Sequence, residues 1–156
     1  MADVRQFPGS RRYPQFGQQE LKESLAASGI EYVHFPELGG RRRPRADSPN
    51  TAWRNEAFRG YADYMMTPNF RQGIERLLQI ASEKRTVLMC AEAVWWRCHR
   101  GLISDYLKSK SIRVIHILSG VKTEDHPFTS AARIVNGQLS YQGAESAPEL
   151  PLEKEK

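Results

Sequence analysis

The segment Arg85–Lys108 constrains the fold of this chain more than any other stretch. It opens with the β-branched and apolar run Thr86–Met89, which is typical of a strand. The apolar residues that follow recur at helical spacing, at Leu102, Ile103, Tyr106 and Leu107. The segment therefore predicts a strand, a short loop and a helix, in that order.

The loop and the first turn of this helix contain reactive and charged side chains. They are Cys90, Glu92, Arg97, Cys98, His99 and Arg100. The N-terminus of a helix attracts anions, because its first backbone N–H groups are unpaired and its dipole is positive there. We therefore predict that the functional site lies at this junction between strand and helix.

The residues before this segment predict a β-α-β unit. A short strand at Ala2–Arg5 is followed by a turn-rich stretch and by a helix over Gln18–Ser28, with Gly29 where helices commonly end. Glu31–Phe35 is then a second strand, and the short helical connection favours parallel pairing of the two strands. The next segment, 36–55, has no period and contains the basic run LGGRRRPR, which favours a long functional loop.

The later residues predict two more helices and another strand. Apolar spacing predicts helices over Glu56–Met66 and Pro68–Ala81. Arg113–Leu118 is nearly apolar, as expected for a strand buried on both faces of a sheet. His116 lies inside this strand, and we interpret it as a hydrogen-bonded core histidine rather than a ligand.

The C-terminal part of the chain completes the predicted fold. Asn136–Gly137 between two strand-like runs is the signal of a two-residue hairpin. We predict an α/β fold with a mostly parallel sheet flanked by helices and a C-terminal β-hairpin. The chain is long enough for one domain, which we place at 1–141, and the Pro- and Glu-rich residues 142–156 predict a disordered acidic tail.

The charge and the cysteine content restrict the class of protein. The chain has 23 Lys and Arg against 18 Asp and Glu, and this basic excess favours an anionic small molecule or a nucleic acid as partner. Its two cysteines do not form a secreted disulfide framework. It shows no export signal and no apolar run of roughly 18 residues. We expect a cytoplasmic protein that does not enter a membrane.

Four sequence blocks resemble a known family. The blocks are DVRQFPGSRRYPQF, GIEYVHFPELGGRRR, NTAWRNEAFRGYADYM and MCAEAVWWRCHRGLISDYL, and they occur in the order found in the domain of unknown function 488 family. The resemblance covers residues 2 to about 141 and implies an α/β sheet domain whose biochemical role is not established. It places the family's motif positions at Asp3, Arg5, Pro8, Ser10, Pro14, Phe16, Gly39, Gly40, Tyr61, Met65, Cys90, Glu92, Cys98, His99 and Arg100.

The resemblance also implies a strand and a helix before the DVR block, where this chain begins. Two explanations follow. Either the family's first strand is missing, and the exposed sheet edge is covered by a partner such as a second copy of the chain, or the start codon was assigned late. The family tends to have a proline near Val94–Trp96, where this chain has Trp95–Trp96.

Ligands of open α/β sheets bind beyond the carboxyl ends of the strands, which predicts where the site residues meet. Arg5, Cys90 and the loop containing Arg41 each follow a predicted strand, so we expect them to converge. Our favoured hypothesis is an anion held at the helix N-terminus and clamped by arginines. The candidate ligand-binding residues are Arg5, Ser10, Arg11, Arg12, Gly39, Gly40, Arg41, Arg97 and Arg100.

Two alternatives use the cysteines. In a cysteine-dependent enzyme, nearby cations would lower the pKa of Cys90 as nucleophile, with Glu92 and His99 in acid–base roles. The Cys-x5-Arg spacing of phosphatase and rhodanese-like domains is absent. In a metal site, Cys90, Cys98 and His99 would be the ligands. Adjacent Cys98 and His99 reach one ion only if the helix starts after them, since they would otherwise point about 100° apart. We predict no cofactor other than this metal.

Overall fold

The computed structural model describes residues 1–143, so the predicted acidic tail lies almost wholly outside the described residues. The strands are β1 (Ala2–Asp3), β2 (Val33–His34), β3 (Leu88–Met89), β4 (Ile115–Ile117), β5 (Thr123–Asp125), β6 (Arg133–Val135) and β7 (Gln138–Ser140). The helices are α1 (Gln18–Ala27), α2 (Glu56–Met65), α3 (Pro68–Glu83) and α4 (Arg100–Ser109). Single 3-10 turns lie at Pro14–Phe16, Pro36–Leu38 and Trp95–Arg97.

A three-stranded parallel sheet organises the N-terminal part, in the order β2-β1-β3. Ala2 pairs with Val33 on one side and with Leu88 on the other, so the strand nearest the start of the chain is the central one. The remaining strands form two antiparallel pairs, β4 with β5 and β6 with β7. The predicted α/β class, the parallel β-α-β unit and the C-terminal hairpin are confirmed.

Local sequence signals determine where the helices begin and end. Gly29, with φ of +70°, follows α1, and the N–H groups of Gly29 and Ile30 bond to the carbonyls of Ala26 and Leu25. This Schellman motif needs a left-handed residue, which glycine supplies. Thr67 caps α3, since its hydroxyl accepts from the N–H of Phe70, three residues on.

The core lies between the parallel sheet and helices α2, α3 and α4. Its fully buried side chains come from all of these elements and include Val4, Phe35, Leu38, Tyr61, Phe70, Leu102 and Ile103. Phe70 meets Tyr61 and Tyr106 edge to face, with ring centroids 6.2 and 5.2 Å apart. Burial of such apolar area stabilises the fold and holds the ends of β1 and β3 against the start of α4. No helix within residues 1–143 is both long and apolar enough to cross a membrane.

Strand β4 differs from the prediction. We expected it to be buried on both faces of the main sheet, but within residues 1–143 it pairs only with β5, a strand that the sequence did not predict. Ile115 and Ile117 are 47% and 64% exposed. Between them His116 points inward, because successive side chains of a strand point to opposite faces. The apolar run therefore belongs to a two-stranded ribbon with one face open.

The start of α4 also differs from the prediction. The helix begins at Arg100 with His99 as its N-cap, so Cys98 and His99 precede the first helical turn rather than forming it. Cys98 is extended, with φ of −132° and ψ of 147°. This extended residue frees the two neighbouring side chains from the 100° separation of a helix, so they can face the same point.

Candidate functional site

Seven of the predicted site residues, Arg5, Ser10, Gly40, Arg41, Cys90, Glu92 and His99, line one cleft of about 600 Å³ beyond the carboxyl ends of β1 and β3. Three chain segments line it, each following a parallel strand. They contribute Arg5 and Ser10, then Gly40 and Arg41, then Cys90 and Glu92, with His99 at the start of α4. The convergence that we predicted from strand order is confirmed.

Two sulfurs and one imidazole nitrogen form a cluster beside this cleft. The Nδ1 atom of His99 lies 3.6 Å from the Sγ of Cys98 and 4.0 Å from the Sγ of Cys90. All three atoms lie within 4.8 Å of one another. The strand-loop-helix segment thus brings together three groups that can each donate an electron pair to a metal ion.

The orientation of His99 is determined by the central strand. Its Nε2 lies 3.1 Å from the carbonyl oxygen of Val4. Because a carbonyl oxygen can only accept, Nε2 carries the proton and the lone pair of the neutral ring is on Nδ1, facing both sulfurs. A Cβ at Gly40 would lie 2.8 Å from Nδ1, so a glycine is needed here for the ring to fit.

The N-terminus of α4 directs its first backbone N–H group at the sulfur of Cys98. The backbone N–H of Arg100 points at this sulfur from 3.5 Å, and its Nε from 3.4 Å. The backbone N–H of Gly101 bonds to the carbonyl of Cys98 at 2.9 Å. Positive dipole and guanidinium therefore both stabilise a thiolate at Cys98.

The pKa values of the two thiols are shifted in opposite directions. A hydrogen bond from Cys90, supported by Arg100, lowers the pKa of Cys98 to about 6. Its partnership with Cys98, together with burial, raises the pKa of Cys90 to about 12. Our expectation that nearby cations lower the pKa of Cys90 was wrong, because the guanidinium and the helix N-terminus contact the other sulfur. Cys98 is only 3% exposed, whereas Cys90 is half-buried and lines the cleft.

Two of the predicted arginine clamps are occupied by the protein's own groups. Arg5 lines the cleft, but its Nε and Nη2 bind the Asp3 carboxylate at 2.9 and 2.6 Å, and its Nη1 binds the Phe16 carbonyl at 2.7 Å. Arg100 bonds to Cys98 and, through Nη2, to the backbone carbonyl of Glu92. Both guanidiniums therefore brace the walls of the cleft.

The other candidate ligand-binding residues have different positions. Arg41 lines the cleft in the left-handed conformation, with φ of +60°. Ser10 also lines it, and its hydroxyl accepts from the backbone N–H of Tyr13. Gly39 lies behind the cleft, where a Cβ would be 2.9 Å from the Cα of Gln6. The remaining three, Arg11, Arg12 and Arg97, are exposed and are not among the residues that line the cleft.

Comparison with protein families agrees with the sequence blocks. The family model for the domain of unknown function DUF488 matches residues 1–107. The chain belongs to the DUF488 family. The match contains the whole Cys90, Cys98 and His99 cluster, all three parallel strands and the segments that line the cleft. Searches of the curated proteins and of the solved structures found no match.

A network of hydrogen bonds joins Asp105, His126 and His116 and lies partly beyond the segment that matches DUF488. The sequence analysis did not predict it. Asp105 is fully buried, and its carboxylate accepts from His126 Nε2 at 3.0 Å, from both donors of Thr129 and from the hydroxyl of Tyr141. The Nδ1 of His126 lies 2.7 Å from the Nε2 of His116. The sequence did contain a signal for this network. Asp105 lies three residues after Leu102, on the inward face of α4, and a carboxylate that is buried there requires hydrogen-bond donors nearby.

The surroundings of His116 favour the neutral form of its imidazole. Its ring stacks on Trp95, with centroids 4.5 Å apart and planes 7° apart. Burial is the largest cause that lowers the pKa of His116 to about 4, and the nearby His126 and Arg100 add to it while Glu124 opposes it. His116 is therefore neutral at pH 7, and its interpretation as a hydrogen-bonded histidine is confirmed, although it is half-buried rather than enclosed.

This lowered pKa predicts a pH-dependent stability. Between pH 6.5 and 4 the unfolded chain binds a proton at His116 that the folded chain does not, so the free energy of unfolding falls as the pH falls through this window. The shift is worth about 3 kcal/mol for an enclosed group, reduced to roughly 1–2 kcal/mol by solvent. Urea unfolding of wild type and His116→Asn at pH 7 and 4.5 measures it. Identical pH dependence in both proteins contradicts the prediction.

Proposed function

We propose that Cys90, Cys98 and His99 bind a thiophilic divalent metal ion, with zinc as the first choice. The observation that carries this proposal is the spacing of the three donor atoms. Bond lengths of about 2.3 Å to sulfur and 2.0–2.1 Å to nitrogen, at tetrahedral angles, separate sulfur and nitrogen ligands by about 3.6 Å. The two nitrogen-to-sulfur separations here are 3.6 and 4.0 Å, and the two sulfurs lie within 4.8 Å of each other, so the three donors are within reach of one ion.

The chemistry of the donors supports the same ion. Thiolate and imidazole are ligands that zinc prefers, whereas magnesium and calcium prefer oxygen. His99 has the outer-shell partner typical of a metal ligand, since the Val4 carbonyl fixes the ring with Nδ1 toward the sulfurs. The N–H groups of Arg100 point at Cys98 and offset part of its negative charge in the thiolate form.

The open side of the cluster gives the metal a functional rather than a purely structural role. Structural zinc sites have four protein ligands, whereas catalytic sites have three and keep one position for water or substrate. Among residues 1–143, three side chains that can bind a metal cluster here. Two of them, Cys90 and His99, also line the cleft. A ligand entering the cleft would therefore reach the ion, and Glu92 at the cleft wall offers a carboxylate for proton transfer.

Metal analysis of the wild-type chain tests the proposal. Protein purified without chelator is expected to contain close to one equivalent of zinc. Replacement by Co²⁺ should give visible absorption of tetrahedral cobalt together with a thiolate-to-cobalt charge-transfer band, which reports the sulfur ligands directly. Protein that contains no metal and shows neither band in a cobalt titration rules the proposal out.

A second candidate function is thiolate chemistry without a metal. The observation that favours it is the lowered pKa of Cys98, which populates a thiolate at pH 7. The 3% exposure of Cys98 counts against direct attack on a substrate. Mass spectrometry after iodoacetamide treatment separates the two candidates. The metal proposal predicts that both cysteines resist alkylation until a chelator is added, whereas thiolate chemistry predicts alkylation that the chelator does not change.

A further inference from the structure

We infer that the cleft beside the cluster binds a small anion with a planar ring, of the size and chemistry of a nucleoside monophosphate. The inference deepens the proposed function and rests on it, because the ligand would lie against the open side of the metal. It combines two features of the cleft wall that the metal itself does not explain.

The first feature is an anion-binding corner at Gly40 and Arg41. The backbone N–H groups of these residues make no hydrogen bond with any other part of residues 1–143, although Gly40 is buried. Buried backbone donors are almost always paired, so unpaired donors at a cleft indicate a place for an acceptor. The guanidinium of Arg41 contacts no acidic group in the same part of the chain.

The backbone of Arg41 supports the same interpretation. A residue other than glycine at φ of +60° costs free energy, and such strain is concentrated at ligand clamps and active sites. Left-handed residues occur in the backbone turns that form anion-binding concavities. An anionic group here would accept from two backbone donors and from a guanidinium.

The second feature is a group of exposed aromatic side chains at the mouth of the cleft. Phe7, Tyr13 and Phe16 all line it and are 70%, 49% and 47% exposed. A group of exposed rings around one cleft is typical of ligand-binding grooves and interaction surfaces. A planar ring such as a nucleobase stacks favourably on such side chains.

The two features are close enough for one molecule to use both. The Cζ of Arg41 lies 5.9 Å from the centre of the Phe7 ring, so the anion corner adjoins the aromatic mouth. The cleft volume of about 600 Å³ lies in the range of small-ligand sites, roughly 300–1,000 Å³. Glu92 also lines the cleft and repels anions, which places the phosphate at the Gly40 and Arg41 end, next to His99.

Calorimetric titration of the zinc-loaded chain tests this inference, with AMP, adenosine and inorganic phosphate as separate probes. AMP is expected to bind at least tenfold more tightly than either fragment, because only AMP uses both features. Arg41→Gly relieves the backbone strain, so this variant should fold, and it should weaken AMP binding about 10- to 100-fold without affecting adenosine. Phe7→Ala should weaken both AMP and adenosine.

Arg54→Ala is the matched control, because Arg54 is an exposed arginine outside the cleft. It should bind AMP as the wild type does. Zinc content is measured on every sample. A wild-type chain that contains zinc but does not bind AMP overturns this inference alone, whereas a wild-type chain that contains no zinc overturns the proposed function. AMP affinity equal to that of phosphate, or unchanged in Arg41→Gly, also overturns the inference.

Discussion

His99→Gln is expected to lower the zinc affinity of the chain by more than the roughly 10- to 100-fold that loss of an outer-shell partner costs. Glutamine retains polarity and approximate size but places no imidazole nitrogen between the sulfurs, 3.6 Å from Cys98 and 4.0 Å from Cys90. Cys98→Ser should have an equally large effect, since a hydroxyl is a poor ligand for zinc and does not ionise at pH 7. Competition with a chromophoric chelator measures both affinities.

His34→Gln is the matched control for His99→Gln. His34 and His99 are both half-buried, and each places Nε2 against a backbone carbonyl of the same segment, Arg5 at 2.9 Å and Val4 at 3.1 Å. Only His99 faces the two sulfurs. His34→Gln should therefore keep full zinc affinity, while its stability changes about as much as that of His99→Gln. Equal zinc affinities for the two variants would mean that the imidazole of His99 is not a ligand.

Much of the fold could be predicted because its signals are local. The β-α-β unit follows from apolar periodicity, and the glycine after α1 and the threonine before α3 mark helix ends through hydrogen bonds within a few residues. Strand β4 could not be assigned in this way. An apolar run is the same in sequence whether it enters a sheet or an open ribbon, and only the partner strand β5 decides which.

The cleft could be predicted from strand order, but the roles of its residues could not. The position of Cys98 depends on where α4 starts, and a shift of the start to Arg100 gives this cysteine, rather than Cys90, the helix N-terminus and the guanidinium. The hydrogen-bond network of Asp105, His126 and His116 joins residues that are far apart in sequence. His126 lies 10 residues from His116 and 21 residues from Asp105. Such pairings depend on tertiary packing, which no sequence spacing records.

Asp3→Asn is expected to lower the free energy of unfolding by about 3–5 kcal/mol. Asp3 is fully buried at the end of the central strand, where its carboxylate accepts three hydrogen bonds from the Arg5 side chain, one from the Arg5 backbone N–H and one from the Tyr32 hydroxyl at 2.6 Å. Burial alone would raise the pKa of Asp3, but these hydrogen bonds outweigh burial and hold the pKa below its usual value. Asparagine keeps the shape and leaves the buried guanidinium uncompensated.

Asp47→Asn tests whether burial, rather than pairing as such, makes Asp3 important. Arg45 and Asp47 form the same kind of pair two residues apart, with Nη2 to Oδ2 at 2.7 Å, but both side chains are largely exposed. Exposed pairs gain little because water screens them. Urea unfolding should therefore show no measurable change for Asp47→Asn and a large one for Asp3→Asn.

Asp3→Asn should also weaken zinc binding in the fraction that remains folded. The carbonyl that orients His99 belongs to Val4, the residue between the two members of the pair, so a loosened strand end loses its hold on the imidazole. The measurement is zinc affinity under conditions where circular dichroism shows the variant to be folded. If Asp3→Asn proves as stable as the wild type, the guanidinium of Arg5 is not tied to Asp3, and its use as an anion clamp becomes the better explanation of its place in the cleft.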